Sequence, residues 1–172
     1  LDKPYVMVTF HPVTLEDSKS MEQVSAILDV CQSYKDMKFV FTKANADANG
    51  RIINQMIDKF VEMNNNAVAF TSLGMVKYLS ALKYCTLVIG NSSSGLIEAP
   101  SFGIPTVNIG DRQKGRLQAD SVINCGPVSE EIEAAIKEAL TEGFKYKARQ
   151  TVNPYGDGNT SLKIISKIKE YL

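Results

Sequence analysis

Thr86-Leu87-Val88-Ile89-Gly90-Asn91-Ser92-Ser93-Ser94-Gly95-Leu96-Ile97-Glu98-Ala99 changes character twice within one short stretch. An apolar, partly β-branched run stops at Gly90, small hydroxyl residues follow, and Gly95-Leu96-Ile97 opens a helical pattern. A strand without polar alternation is buried on both faces, which points to a parallel sheet covered by helices on each side. The same unit recurs in both directions along the chain. Runs 5–10, 38–41, 67–70, 86–89, 106–109 and 121–124 read as strands, and segments 21–34, 51–63, 74–83, 94–102, 130–140 and 161–172 supply helices. The expected fold class is α/β, a doubly wound parallel sheet. No internal repeat, low-complexity stretch or inner linker divides it, so 1–172 reads as a single domain.

The chain has 172 residues, 44% of them apolar, enough to bury a real core. Its 19 basic and 19 acidic side chains cancel, so no long-range field attracts phosphate backbones or anionic lipid. Nucleic-acid and membrane-surface roles are not expected, and Lys163, Lys167 and Lys169 read as the solvated face of a final helix. Cys31, Cys85 and Cys125 lie far apart without metal-ligand spacing, and two of them sit in core-like segments, which suits a reducing cytoplasm. No apolar run approaches the ~20 residues of a membrane span, and no charged-then-apolar leader opens the chain. The start at Leu1, directly before a strand-like run, reads as a piece of something longer.

Ligands of doubly wound sheets bind outside the carboxyl ends of the strands. Four loops at that edge stand out: Phe10-His11-Pro12-Val13-Thr14, 42–51, the serine run, and Gly110-Asp111-Arg112-Gln113. In the serine run, N–H groups at a helix start, serine hydroxyls and a close-approach Gly95 would suit an anion. The plainer alternative makes Ser92 or Ser93 only an N-cap. Glu98 sits among apolar neighbours, where an unpaired carboxylate is costly, and a ribose diol would satisfy it; the alternative is a surface acid favoured by the helix dipole. Arg112 could clamp a diphosphate or order the serine loop by pairing with an acid, or it is simply solvated. His11 is the only histidine, placed at the end of the first strand. With no second His and no Cys cluster, neither a protein-held metal nor any cofactor is expected.

The run GNSSSGLIEAPSFGIPTVNIGDRQKGR, together with FHPVT, TKANADANGR and NPYGDGN, resembles the UDP-N-acetylglucosamine 2-epimerase family over essentially the whole chain, and its hydrolysing branch in particular. The resemblance implies a Rossmann-like domain, one half of a GT-B arrangement in which the C-terminal domain holds UDP and faces an N-terminal domain absent from this chain. It implies that Ser92 and Ser93 hold the diphosphate, Glu98 the ribose hydroxyls, and that His11 and Arg112 line the catalytic cleft. Asn45 matches a position near the nucleotide or sugar, while Leu73 and Tyr78 match positions lining the uracil pocket. Pro100 departs from the family's small residue and would kink the helix after Glu98.

The implied partners are a UDP-sugar, UDP, the missing N-terminal domain and a homo-oligomer of the full-length protein. The implied reaction loses UDP to give a 2-acetamidoglycal, then adds water to release the C2-epimerised free sugar. Carboxylates for C2 are expected from the absent domain, because no paired-carboxylate site is evident at the sheet edge. Two other classes fit the serine loop: the donor domain of a GT-B glycosyltransferase, and a non-catalytic sugar-phosphate module. A non-hydrolysing epimerase is a further alternative, and the sugar is either N-acetylglucosamine or a diacetamido derivative.

Overall fold

A computed structural model describes residues 3–13, 20–45 and 48–171. Thr14, Ala46, Asp47 and the two chain ends, which figure in the motifs and boundaries above, lie outside the described residues. Six strands form one sheet: β1 (Tyr5–Thr9), β2 (Lys38–Thr42), β3 (Ala67–Phe70), β4 (Leu87–Gly90), β5 (Thr106–Ile109) and β6 (Val122–Cys125). All pairs are parallel, in the spatial order β3-β2-β1-β4-β5-β6. That is the doubly wound, Rossmann-like order.

Alternate residues of the buried strands feed two cores, as the period of two requires. Val6, Val8, Phe39, Phe41, Leu87, Ile89, Val107 and Ile109 face one side. There they meet α1 (Ser20–Ser33), α2 (Ala48–Met63) and α5 (Ser129–Ala139), whose Ile27, Ile53, Ile57, Ile132 and Ile136 are buried. Met7, Val40 and Val88 face the other side, covered by α3 (Gly74–Tyr84) through Leu82, and by Ala99. This second cover stops short of the sheet edge. Val68 and Phe70 on β3 stay 38% and 39% exposed, while Ala67 and Ala69 pack inward.

Three differences from the sequence reading have local causes. The helix expected over 94–102 divides into α4 (Ser94–Ile97) and a 3-10 turn, Ala99–Phe102, because Pro100 has no N–H for the carbonyl four residues back. An unexpected helix, α6 (Glu142–Arg149), is eight residues long and its inward face is one i,i+4 pair, buried Ala148 and half-buried Phe144; Thr141 caps it by accepting the Phe144 N–H at 3.2 Å. The final helix, α7 (Thr160–Lys169), buries none of its residues. Its lysines are solvated as expected, and Leu162, Ile164, Ile165 and Ile168 are exposed as well.

Candidate functional site

The chain runs from β1 toward β2 on one side and from β4 toward β5 on the other, so the topological switch point lies between β1 and β4. Their carboxyl ends approach closely. Gly90 has φ 133°, and a Cβ there would stand 1.9 Å from the Thr9 carbonyl oxygen, so only glycine lets the strands stay paired as they end.

Asn91 then organises the edge. Its N–H donates to the Thr9 carbonyl at 3.1 Å. Its side chain brackets the His11 backbone: Oδ1 accepts the His11 N–H at 2.8 Å and Nδ2 donates to the His11 carbonyl at 2.8 Å. Its own carbonyl accepts Gln113 Nε2 at 2.7 Å and Arg112 Nη1 at 3.0 Å. Loops from β1, β4 and β5 therefore meet on one residue that is 1% exposed. Neither Asn91 nor Gln113 was singled out in the sequence; the available signal was an amide directly after a strand-ending glycine, and another directly after the loop arginine.

The three serines divide their work. Ser92 Oγ accepts the Ser94 N–H at 3.3 Å, a local turn, whereas Ser93 occupies the N-cap position of α4 without a side-chain capping bond. Ser94 Oγ is taken by the Tyr78 hydroxyl at 2.8 Å. With four residues, α4 has a small dipole, so an anion here would rely on N–H and hydroxyl donors. The expectation for Gly95 is corrected. Its bare Cα faces β5, where a Cβ would lie 2.7 Å from Thr106 Cγ2, and Thr106 Oγ1 donates to the Gly95 carbonyl at 3.0 Å. Gly95 allows helix-to-sheet packing rather than approach of a ligand.

Glu98 closes α4 as its C-cap and is at the same time the N-cap of the 3-10 turn, to which its side chain makes no capping bond. It is half-buried, and its Oε2 is shielded from solvent with no hydrogen-bond partner among the described residues. Tyr78 lies close enough to feel that carboxylate. Burial first, then the Glu98 charge, pushes its phenol above the ordinary range, with the Ser94 hydrogen bond opposing. The Tyr78 hydroxyl thus supports the serine turn. Leu73, half-buried just before α3, packs on the second core, and exposed Asn45 follows β2. Both stand at the carboxyl edge, on the flank away from β5.

Arg112 binds a carbonyl and not the acid envisaged for it. Burial, followed by the Arg116 charge, lowers its guanidinium. On the opposite flank a cavity of about 860 Å³ spans the ends of β5 and β6, lined by Asn91, Asn108, Asp111, Arg112, Lys114 and Glu131 among others. This volume suits a small-molecule ligand. Two carboxylates, Asp111 and Glu131, line this flank. Each is already engaged, Asp111 with Lys114 at 3.9 Å and Glu131 Oε2 with the Gly126 N–H at 2.6 Å. Burial raises the thiols of Cys85 to about 12 and Cys125 to about 11, so neither is a ready nucleophile. The described residues contain no group of three potential metal ligands and no helix long and apolar enough to cross a membrane.

The NPYGDGN segment folds back behind this edge. Asn153 Nδ2 donates to the Ile97 carbonyl at 2.8 Å and to Ser101 Oγ at 2.6 Å, and the Tyr155 hydroxyl reaches the Leu117 carbonyl at 3.1 Å.

Fold and edge together define a doubly wound domain with hydroxyl donors at its switch point and, at the end of α4, a shielded carboxylate oxygen without a donor. A family model described as UDP-N-acetylglucosamine 2-epimerase matches residues 1–169, and the chain belongs to this family. It is 42% identical over 125 residues to the Campylobacter jejuni GDP/UDP-N,N'-diacetylbacillosamine 2-epimerase (hydrolyzing), covering 72% of the chain and 33% of that protein. It is 34% identical over 171 residues to the Escherichia coli polysialic acid biosynthesis protein P7, covering 99% of the chain and 44% of that protein. The fold is that of the S. aureus MnaA–UDP co-structure, with a TM-score of 0.78 at 23% identity, covering 99% of this chain and 45% of that one. The chain thus spans between a third and a half of the length of these proteins.

Proposed function

We propose that this chain is the UDP-binding, C-terminal domain of a hydrolysing UDP-sugar 2-epimerase, and that the acids acting at C2 of the sugar come from a domain outside it. Glu98 carries the reading. A shielded carboxylate oxygen without a donor is costly, and two ribose hydroxyls supply the donors it lacks. Ser92 and Ser93 receive the diphosphate, with His11 held beside them by Asn91. Leu73 and Asn45 lie on the base side and Arg112 on the sugar side. UDP departs onto the serine turn, the sugar becomes a glycal, and water addition releases the epimerised free sugar. The chain's own part is to hold and stabilise the leaving group.

The C. jejuni relative favours a diacetamido sugar nucleotide as the substrate class. Three thiols without disulfides suit a reducing compartment such as the cytoplasm. In calorimetry, Glu98→Gln should weaken UDP by about 1–3 kcal/mol, the value of a charged hydrogen bond, while leaving inorganic phosphate unaffected. Equal losses for both ligands would remove Glu98 from the ribose. UDP release from both sugar nucleotides should require the full-length protein, and turnover by this chain alone would refute the assignment of the acids to another domain.

A further inference from the structure

Gln113 poses a problem of stability. It is 1% exposed, its Nε2 donates to the Asn91 carbonyl, and its Oε1 is buried with no partner among the described residues. A buried amide with one unsatisfied end is less stable than a methionine of similar volume, which would fill the same place without desolvating any polar atom. The Asn91 carbonyl would keep a donor in its absence, because Arg112 also binds it. The amide therefore contributes little to folding that an apolar side chain could not.

We infer that Gln113 is a positioning residue for the diphosphate. Through Asn91 it fixes the distance between the His11 loop and the serine turn, the two sides of the anion site. This rests on the UDP-binding reading above. Arg112 is exposed, and a long solvated side chain holds the Asn91 carbonyl in one place less firmly than a packed amide does. Asn91 transmits the constraint, because the same residue brackets the His11 backbone with its side chain and leads directly into Ser92. Displacing it shifts the donors that meet the phosphates and leaves Glu98, seven residues farther along at the end of α4, tied to Ser94.

The test is calorimetry of UDP and of uridine on the full-length protein, with melting temperatures measured alongside. Gln113→Met should keep or raise the melting temperature, weaken UDP about tenfold, as loss of one well-placed hydrogen bond allows, and leave uridine unchanged. A residue that merely filled the core would lower the melting temperature and weaken both ligands in parallel, which overturns the inference. Unchanged UDP affinity in the variant overturns it too, while absence of UDP binding by the wild type removes the reading beneath it. Should Gln113→Met fail to fold, Asn91→Asp provides the same contrast. It keeps the volume and the carbonyl, exchanges the donor to His11 for a repelling oxygen, and should again weaken UDP selectively over uridine; parallel losses there count against the inference.

Discussion

Two asparagines clamp two loops of this edge by the same device, and the difference between them shows where the fold concentrates its order. Asn54, on α2, accepts the Ala44 N–H at 2.9 Å and donates to the Ala44 carbonyl at 3.1 Å, as Asn91 does for His11. Asn54 reaches 10 residues back along its own loop, whereas Asn91 reaches across 80. Asn54 is half-buried, and near it Lys43 pairs with Asp58 at 2.7 Å. Asn91 is buried and is itself gripped by two further side chains. The β2 loop is therefore held locally, while the loops of β1, β4 and β5 are held to one another. A loop that orders only itself can tolerate a lost bond, since water replaces the partner; a junction of three loops cannot.

The contrast is broken most violently beneath Asn91. Gly90→Ala places a Cβ against the Thr9 carbonyl at a φ that alanine rarely adopts, and should cost more than about 3 kcal/mol or abolish folding, seen in urea denaturation. Next come the clamps themselves. Asn91→Ala leaves the His11 N–H and carbonyl without their partner and should cost about 2–4 kcal/mol, against about 1 kcal/mol for Asn54→Ala. Equal costs would mean that the two clamps are equivalent and the three-loop junction is not special.

The smallest effect belongs to α7, which shares in neither clamp. Hydrogen bonding from Asn159, reinforced by Lys163, lowers the Asp157 carboxyl to about 2. A carboxyl depressed in the folded state stabilises above its unfolded value near 4 and loses that contribution as pH falls toward 2. Protection of the α7 amides, their exchange rate relative to the intrinsic rate at each pH, should therefore fall across that window, and in Asp157→Asn it should not change there.

Much of this could be read from one sequence, for physical reasons that also mark the limit. Strands β1, β2, β4 and β5 declared themselves because burial on both faces removes polar alternation, the two edge strands by their short apolar runs, and all ends shifted by no more than a residue. Helix α6 stayed hidden because its apolar face is a single i,i+4 pair, Phe144 and Ala148, too short to set a period. Ser92, Ser93, His11 and Arg112 could be placed at the carboxyl edge by their positions just after strands, and Glu98 was marked by its apolar neighbours. Asn91 and Gln113 could not, because their roles depend on partners 80 and 22 residues away that no local pattern reveals. Gly95 was legible as a required glycine but not in its direction, since only the packed sheet shows that its missing Cβ faces Thr106.

The central claim is that UDP sits at the β1–β4 switch point, with its phosphates on the serine turn and its ribose on Glu98. A crystal structure of the protein with UDP tests it most directly. Diphosphate oxygens are expected within about 3 Å of Ser92, Ser93 or the His11 side chain, with both ribose hydroxyls donating to the Glu98 carboxylate. A nucleotide bound elsewhere on the sheet edge, or a ribose with Glu98 turned away from it, would contradict it.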